Sequence, residues 1–281
     1  MLITPFDPWQ SAWCACPEKY SLSPYTGCGH GCLYCYATSY IPNFFAPRPK
    51  KDFLARLKKD IAKVPAGALI AIANSSDPYQ PLEKELCLTR ETLKIIAEKK
   101  LRLNLVTKSA LIARDGDIIK DMRCSAAFTI TTLNPGLAKK METMASAPQK
   151  RLAALEKLSK FIFTAVRLDP IICGVNDEEI EKIVIAAKNH GAKQIITSTY
   201  KAKPDNFKRL QAAFPAKTAE LKNLYFKNPH KINGQFYLEE SLRLKLIEKC
   251  RVAALNAGLE FSSCREGFGR LNTATCDGSL T

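Results

Sequence analysis

Cys28, Cys32 and Cys35 stand in a C-x3-C-x2-C spacing inside the run Ser23-Pro-Tyr-Thr-Gly-Cys-Gly-His-Gly-Cys-Leu-Tyr-Cys-Tyr-Ala37. That spacing curls a short loop so that three thiolates face one point, enough to hold three irons of a [4Fe–4S] cluster. With no fourth cysteine in the run, one iron stays open to a non-protein ligand. Gly27, Gly29 and Gly31 interleave the thiols, as expected where backbone wraps closely around an inorganic cube. Tyr34 and Tyr36 are placed to shield it from water. Two plainer readings compete: a zinc knuckle, or three packed thiols. A zinc site needs a fourth Cys or His, and only His30 is near, set awkwardly between the ligands.

The elements that must position this loop follow from hydrophobic periodicity. Short apolar runs alternate with amphipathic stretches, the pattern of βα units on a parallel sheet. Strands are expected just before Cys28 and at 68–73, 102–107, 125–132, 161–168 and 194–198. Helices are expected between them, as at 50–64, where Phe53, Leu54, Leu57 and Ile61 share a face, and at 82–100, 115–123, 148–160 and 177–190. After Tyr200 the texture changes: two helices, 204–228 and 238–258, flank a loop around 229–234, and a strand at 259–262 precedes a Gly- and Cys-containing tail. Periodicity alone allows either a barrel or a doubly wound sheet. Two units are expected, a core over 1–199 and an extension over 200–281 that packs on it.

At 281 residues there is ample chain for a core. No run approaches the ~18 apolar residues of a membrane span, and Met1-Leu-Ile-Thr-Pro-Phe-Asp-Pro lacks the basic and apolar blocks of a signal peptide. No membrane partner is therefore expected. Eleven cysteines exceed what packing requires. In a reducing cytoplasm, where a cluster would survive, those outside the triad read as thiols or metal ligands rather than disulfides. The net charge of +15 suits an anionic partner such as nucleic acid, though an acidic redox donor or simple solubility also accounts for it.

With its aromatic just before the third cysteine, the cluster loop resembles that of the radical S-adenosylmethionine (SAM) superfamily. The resemblance implies a partial (β/α)6 TIM-type barrel with an open iron chelated by SAM. It also implies a low-potential electron donor such as a flavodoxin or ferredoxin, and a 5′-deoxyadenosyl radical that takes hydrogen from substrate. The segment 16–28, the box Ser76-Asp-Pro-Tyr-Gln-Pro-Leu-Glu83, Val106-Thr-Lys-Ser109, Thr129-Ile-Thr-Thr132 and Arg151-Leu152 resemble the spore-photoproduct-lyase-like branch, often labelled "DNA repair photolyase". One departure matters. In the true lyase the second strand ends in Cys-Thr-Ser-Asp, and that cysteine returns a hydrogen atom to the product radical. Here Asn74 stands in its place, and an amide N–H bond is too strong to serve. Splitting of thymine dimers by the lyase route is therefore not expected, unless Cys87 or Cys124 substitutes; each reads more simply as a packed thiol.

Barrel sites lie at the carboxyl ends of the strands, which makes the strand-end residues cofactor candidates. Tyr34 flanks the cluster. Ser75, Ser76 and Asp77 end the second strand, where they meet SAM's ammonium or, for Asp77, merely cap a helix. Lys108 closes the third strand, facing an anion or solvent. Thr129 and Thr131 offer hydroxyls to the ribose, and Arg167 offers a fork for a carboxylate or a salt bridge to Asp169. Glu142 has no assigned role. Cys14, Cys16, Cys264 and Cys276 are candidates for a second site, zinc or iron–sulfur. The stretch 200–237 interleaves aromatics with eight Lys/Arg, as a single-strand platform would require; an amphipathic pair with aromatics inward is the alternative.

The leading functional expectation is a radical SAM enzyme, of lyase or transferase type, acting in nucleic-acid repair or modification. A rival acts on a protein or peptide. A third reading is a non-catalytic, metal-stabilised nucleic-acid-binding module.

Overall fold

A computed structural model of the chain describes residues 1–6, 13–72, 75–227 and 229–279. The apolar runs become strands of one eight-stranded sheet: β1 (Thr4–Pro5), β2 (Tyr20–Leu22), β3 (Leu69–Ile72), β4 (Arg102–Thr107), β5 (Arg123–Thr129), β6 (Phe163–Ile171), β7 (Gln194–Thr199) and β8 (Glu260–Ser263). Spatial order equals chain order, and every pairing is parallel except β1 on β2. A doubly wound sheet reverses direction at a switch point; this one never does. Right-handed crossovers that always step the same way put all helices on one face, which is barrel winding. Leu69–Ile72, buried at all four positions, reads as a strand covered on both sides.

The longer helices are α1 (Phe53–Ile61), α2 (Leu88–Ala97), α3 (Pro148–Ser159), α4 (Ile180–Asn189), α5 (Pro204–Ala213) and α6 (Glu240–Asn256). Helix α1 buries Phe53, Leu57 and Ile61 at the expected spacing. Several boundaries differ from expectation. The helix foreseen over 82–100 breaks at Cys87, whose φ of 50° is left-handed. The strand foreseen over 125–132 stops at Thr129. The helix foreseen over 204–228 ends at Ala213, because Pro215 cannot continue it. The loop at 229–234 belongs to a hairpin, His230–Ile232 with Gln235–Tyr237, turned by Asn233 and Gly234 at positive φ.

The sheet does not end at residue 199. Strand β8 pairs in parallel with β7, so the C-terminal segment supplies a further barrel strand as well as helices. The tail beyond it then turns into the barrel: the Asn104 amide donates to the Asp277 carbonyl at 3.3 Å and Gln194 to the Thr275 carbonyl at 2.7 Å. No helix among the described residues is long and apolar enough to cross a membrane.

Candidate active site

Cys28, Cys32 and Cys35 line one wall of a cavity of about 570 Å³. None is in a disulfide. Burial is the largest influence on all three thiols and pushes each up, Cys28 to about 12; Lys108 opposes it at Cys32 and Cys35. The backbone amides of His30 and Asp77 work against that rise at Cys28, and those of Ala37 and Thr38 at Cys35. Three thiols that resist ionising alone, two of them buried and Cys35 half-buried, make a donor set suited to iron, because iron supplies the missing positive charge.

The loop is held from two sides. On one side the Asp-Pro-Tyr-Gln-Pro-Leu-Glu box works at three points. Asp77 stands 3.2 Å from His30 Nε2 and accepts from Thr107 Oγ1 and the Lys108 amide, both at 2.7 Å, and from the Tyr79 amide at 2.8 Å. Burial pushes its carboxyl up, but His30 and these donors prevail and hold it at about 2. Gln80 accepts from the Gly29 amide at 2.8 Å and donates to the Gly27 carbonyl at 3.2 Å. Glu83, fully buried, accepts from the Tyr25 hydroxyl and from Arg114. On the other side α5 caps the loop's carbonyls: Asn206 donates to Tyr34, and Arg209 to Leu33 and Cys35. Glu142, unassigned by sequence, is central. It bridges Cys32 through the backbone and accepts from the Tyr34 hydroxyl, from Thr131 at 3.1 Å and from Arg151 at 2.5 Å.

The glycines are needed where the loop folds tightest. A Cβ on Gly27 would lie 2.5 Å from the Phe44 carbonyl oxygen, and one on Gly31 2.2 Å from Thr143 Oγ1, both at positive φ. Gly27→Ala is expected to lose about 1–2 kcal/mol from the left-handed backbone alone. The clash adds to this, because the Phe44 carbonyl also accepts from the Cys28 amide at 2.8 Å. Reduced iron per chain after anaerobic reconstitution, with a lowered Tm, is the check.

Of the sequence candidates, Tyr34, Ser75, Ser76, Asp77, Thr129 and Arg167 line the cavity. Thr131 does not; its hydroxyl is committed to Glu142, because β5 has already ended and the chain has turned away. Asp77 is taken up by scaffold donors rather than capping a regular helix. Ser76 is shared between Ser23 at 2.7 Å and the Tyr25 carbonyl at 3.1 Å. Arg167 does make its salt bridge to Asp169, at 2.6 Å, while still bordering the cavity. Lys108 faces the same space, 5.6 Å from the Tyr34 ring centroid. Asn74 lies outside the described residues. Neither Cys87 nor Cys124 lines the cavity; Cys124 is packed in the core.

The stacking platform read from 200–237 is corrected. Tyr200, Phe207, Tyr225 and Tyr237 are buried, and Phe207, Tyr225, Phe226 and Phe236 pack edge to face or tilted against one another. Burying these rings on folding outweighs leaving them for bases, so the aromatics face inward as in the alternative, though from α5, a short turn and the hairpin rather than from two helices.

Comparison with known proteins agrees with this geometry. The family model described as the radical SAM superfamily matches residues 22–187. An uncharacterized protein of Methanocaldococcus jannaschii is 31% identical over 169 residues, covering 57% of this chain and 63% of its own length. The chain spans less than two thirds of the curated relatives it matches. A spore photoproduct lyase mutant with bound AdoMet and dinucleoside spore photoproduct superposes with TM-score 0.67 at 18% identity, over 86% of this chain and 75% of that one. SuiB of Streptococcus suis, bound to its precursor peptide, superposes with TM-score 0.54 at 14% identity, over 86% and 48%. These two share the fold.

Proposed function

The chain belongs to the radical SAM superfamily, and from that premise we propose that it is an enzyme that holds a [4Fe–4S] cluster on Cys28, Cys32 and Cys35, binds SAM in the adjoining cavity, and abstracts hydrogen from a nucleic-acid substrate in repair or modification. When bound, the cluster and SAM together supply a 5′-deoxyadenosyl radical. The observation that carries this reading is the triad itself: three free thiols of one glycine-rich loop, clamped from both sides, opening on a cavity large enough for a small-molecule cofactor.

The chain's own residues then bind and orient. Lys108 and Arg167 offer cations to the SAM carboxylate, and Ser75 and Thr129 offer hydroxyls. Tyr34, its hydroxyl given to Glu142, keeps its ring against the cluster loop and excludes water. The net charge of +15 and the closer superposition on the lyase than on the peptide-bound enzyme support nucleic acid over peptide. The charge also suits an acidic flavodoxin- or ferredoxin-like donor in the cytoplasm. Because Asn74 stands where the lyase has its cysteine, the reaction differs from that of a true spore photoproduct lyase.

The test is anaerobic reconstitution with dithionite and SAM. The wild type is expected to form 5′-deoxyadenosine, and Cys28→Ala/Cys32→Ala/Cys35→Ala to form none. Deuterium carried into 5′-deoxyadenosine from labelled single-stranded oligonucleotide, with binding that weakens steeply with salt, identifies the substrate class. Deuterium from peptide alone would replace nucleic acid by the rival reading. A full cluster with no 5′-deoxyadenosine would sink catalysis altogether.

A further inference from the structure

Four cysteines outside the triad come from opposite ends of the chain and converge. Cys14 and Cys16 lie on the segment entering β2, Cys264 directly follows β8, and Cys276 sits on the tail inside the barrel. Cys276 Sγ donates to Cys16 Sγ at 3.2 Å across 260 positions of sequence. Cys14 and Cys264 border the same cavity as Cys16, and both Cys14 and Cys276 lie within electrostatic reach of Cys16 and Cys264. None is in a disulfide.

Ordinary packing accounts for Cys264, which borders the small apolar cluster of Ala127, Ala165 and Ile196, but not for the gathering of all four. Cys124 and Cys250 are what packed thiols look like in this chain, embedded in the main apolar core. Cys276 is equally buried, yet belongs to no apolar cluster among the described residues. Its neighbours are Cys16 and the buried ion pair of Lys19 with Asp277. Thiol–thiol hydrogen bonds are weak and give little reason to draw four sulfurs together. A thiophilic cation does give one, since its binding energy adds directly to folding.

The spacing also discriminates between metal sites. Sulfurs on one tetrahedral zinc, each about 2.3 Å from the ion, lie about 3.8 Å apart, whereas cysteines on different corners of an iron–sulfur cube stand much farther apart. Cys16 and Cys276, at 3.2 Å, stand nearer the first arrangement than the second. Among the described residues no three such side chains are already closed around a single metal-sized point, so loading one ion requires these four thiols to draw in.

We propose that Cys14, Cys16, Cys264 and Cys276 form a second metal site, a tetrathiolate for one zinc-type cation that clasps the β1–β2 edge of the sheet to the β8 edge. Four thiolates and a divalent ion carry excess negative charge, and Lys19, paired with Asp277 and within electrostatic reach of Cys16, is placed to offset it. The clasp closes the side where the partial barrel lacks strands. It also fixes the tail that fills the barrel beneath the cavity. Cys14, Cys16 and Cys264 border that cavity, so the clasp forms part of its wall, opposite the cluster loop in sequence and independent of it in ligands.

Metal analysis of anaerobically purified protein tests this. The wild type is expected to hold about four irons and about one zinc per chain. Cys28→Ala/Cys32→Ala/Cys35→Ala should lose the iron and keep the zinc. Cys264→Ser/Cys276→Ser should lose the zinc and keep the iron. If that variant does not fold, cobalt(II) added to the zinc-stripped triad variant should give intense thiolate-to-cobalt absorption, abolished by Cys14→Ser. Zinc-free wild type, labile sulfide remaining in the triad variant, or a mapped Cys16–Cys276 disulfide would each overturn the proposal. A triad variant that retains zinc, beside a wild type with a full cluster and no 5′-deoxyadenosine, would sink the catalytic reading and leave the clasp standing.

Discussion

Arg151→Met is expected to destabilise the protein by about 3–5 kcal/mol, the usual cost of breaking a buried ion pair from one side. For a chain of this size that lowers Tm by roughly 5–9 °C. The side chain of Arg151 is 1% exposed and that of Glu142 fully buried, with Nη2 to Oε2 at 2.5 Å. Arg151 also donates to the Ser146 carbonyl at 2.6 Å and the Thr129 carbonyl at 2.9 Å, so two carbonyls lose a donor as well. Methionine keeps most of the volume and the flexible stem, which makes the lost charge and hydrogen bonds, rather than lost packing, the cause. The effect reaches the cluster loop, since Glu142 bridges Cys32 and takes the Tyr34 hydroxyl; iron per chain should fall with Tm. Burial works to raise the Glu142 carboxyl, but Arg151 and Lys108 outweigh it and hold it below its ordinary value. Its contribution is therefore present above the unfolded value of about 4.3 and lost as pH falls through the folded one. The gap between wild type and variant, measured by urea unfolding of cluster-free protein, should be widest near neutral pH and shrink below about pH 4. Adding Glu142→Gln should restore part of the loss, since the uncompensated charge is then gone. A double variant no better than the single would mean the packing of Arg151, not its charge, mattered.

The barrel and the triad were legible in the sequence because both rest on local pattern. The run Leu69–Ile72 and the helical spacing of Phe53, Leu57 and Ile61 need no distant partner to be read. The cysteine spacing likewise lies within one loop. The Asn233-Gly234 hairpin is legible in principle, since that dipeptide is the strongest short hairpin signal, but its strands of three residues each are too short to show an alternation. What no local pattern carries is the long-range clamp. Gln80 meets Gly27 and Gly29 more than fifty positions away, and Arg209 reaches Leu33 and Cys35 across more than 170. Polar side chains that spend their hydrogen bonds on distant backbone look, in sequence, like surface residues. The same blindness leaves the aromatics of 200–237 open between a platform and a core: composition counts rings but does not say which way they face. Joining of β8 to β7 was equally hidden, because a parallel partner can lie any distance away in the chain.

Glu266 presents the same physics farther round the same rim of the barrel, and Glu266→Gln is the second large effect expected. One fully buried carboxylate serves two buried cations, Lys201 at 3.0 Å and Arg243 at 3.4 Å. It also accepts from Ser198 at 2.9 Å, from the Thr199 amide at 2.7 Å and from the Thr199 hydroxyl. Arg243 is stacked among Trp13, Tyr237 and Phe268 and fully buried, so it cannot swing out to water once the carboxylate is gone. Glutamine keeps shape and one acceptor but leaves two cations without a counter-charge. A loss of about 3–5 kcal/mol follows, again roughly 5–9 °C in Tm. Because Glu266 ties the tail after β8 to the end of β7, and Thr199, Lys201 and Arg265 border the cavity, the damage should not stop at stability. SAM binding by the cluster-loaded variant, measured by equilibrium dialysis well below its Tm, should weaken, whereas Glu260→Gln on the exposed start of β8 should leave both readouts near wild type. A Glu266→Gln protein as stable as wild type would mean that the two cations find solvent or other acceptors, and that the buried triad is not what holds the last strand in place.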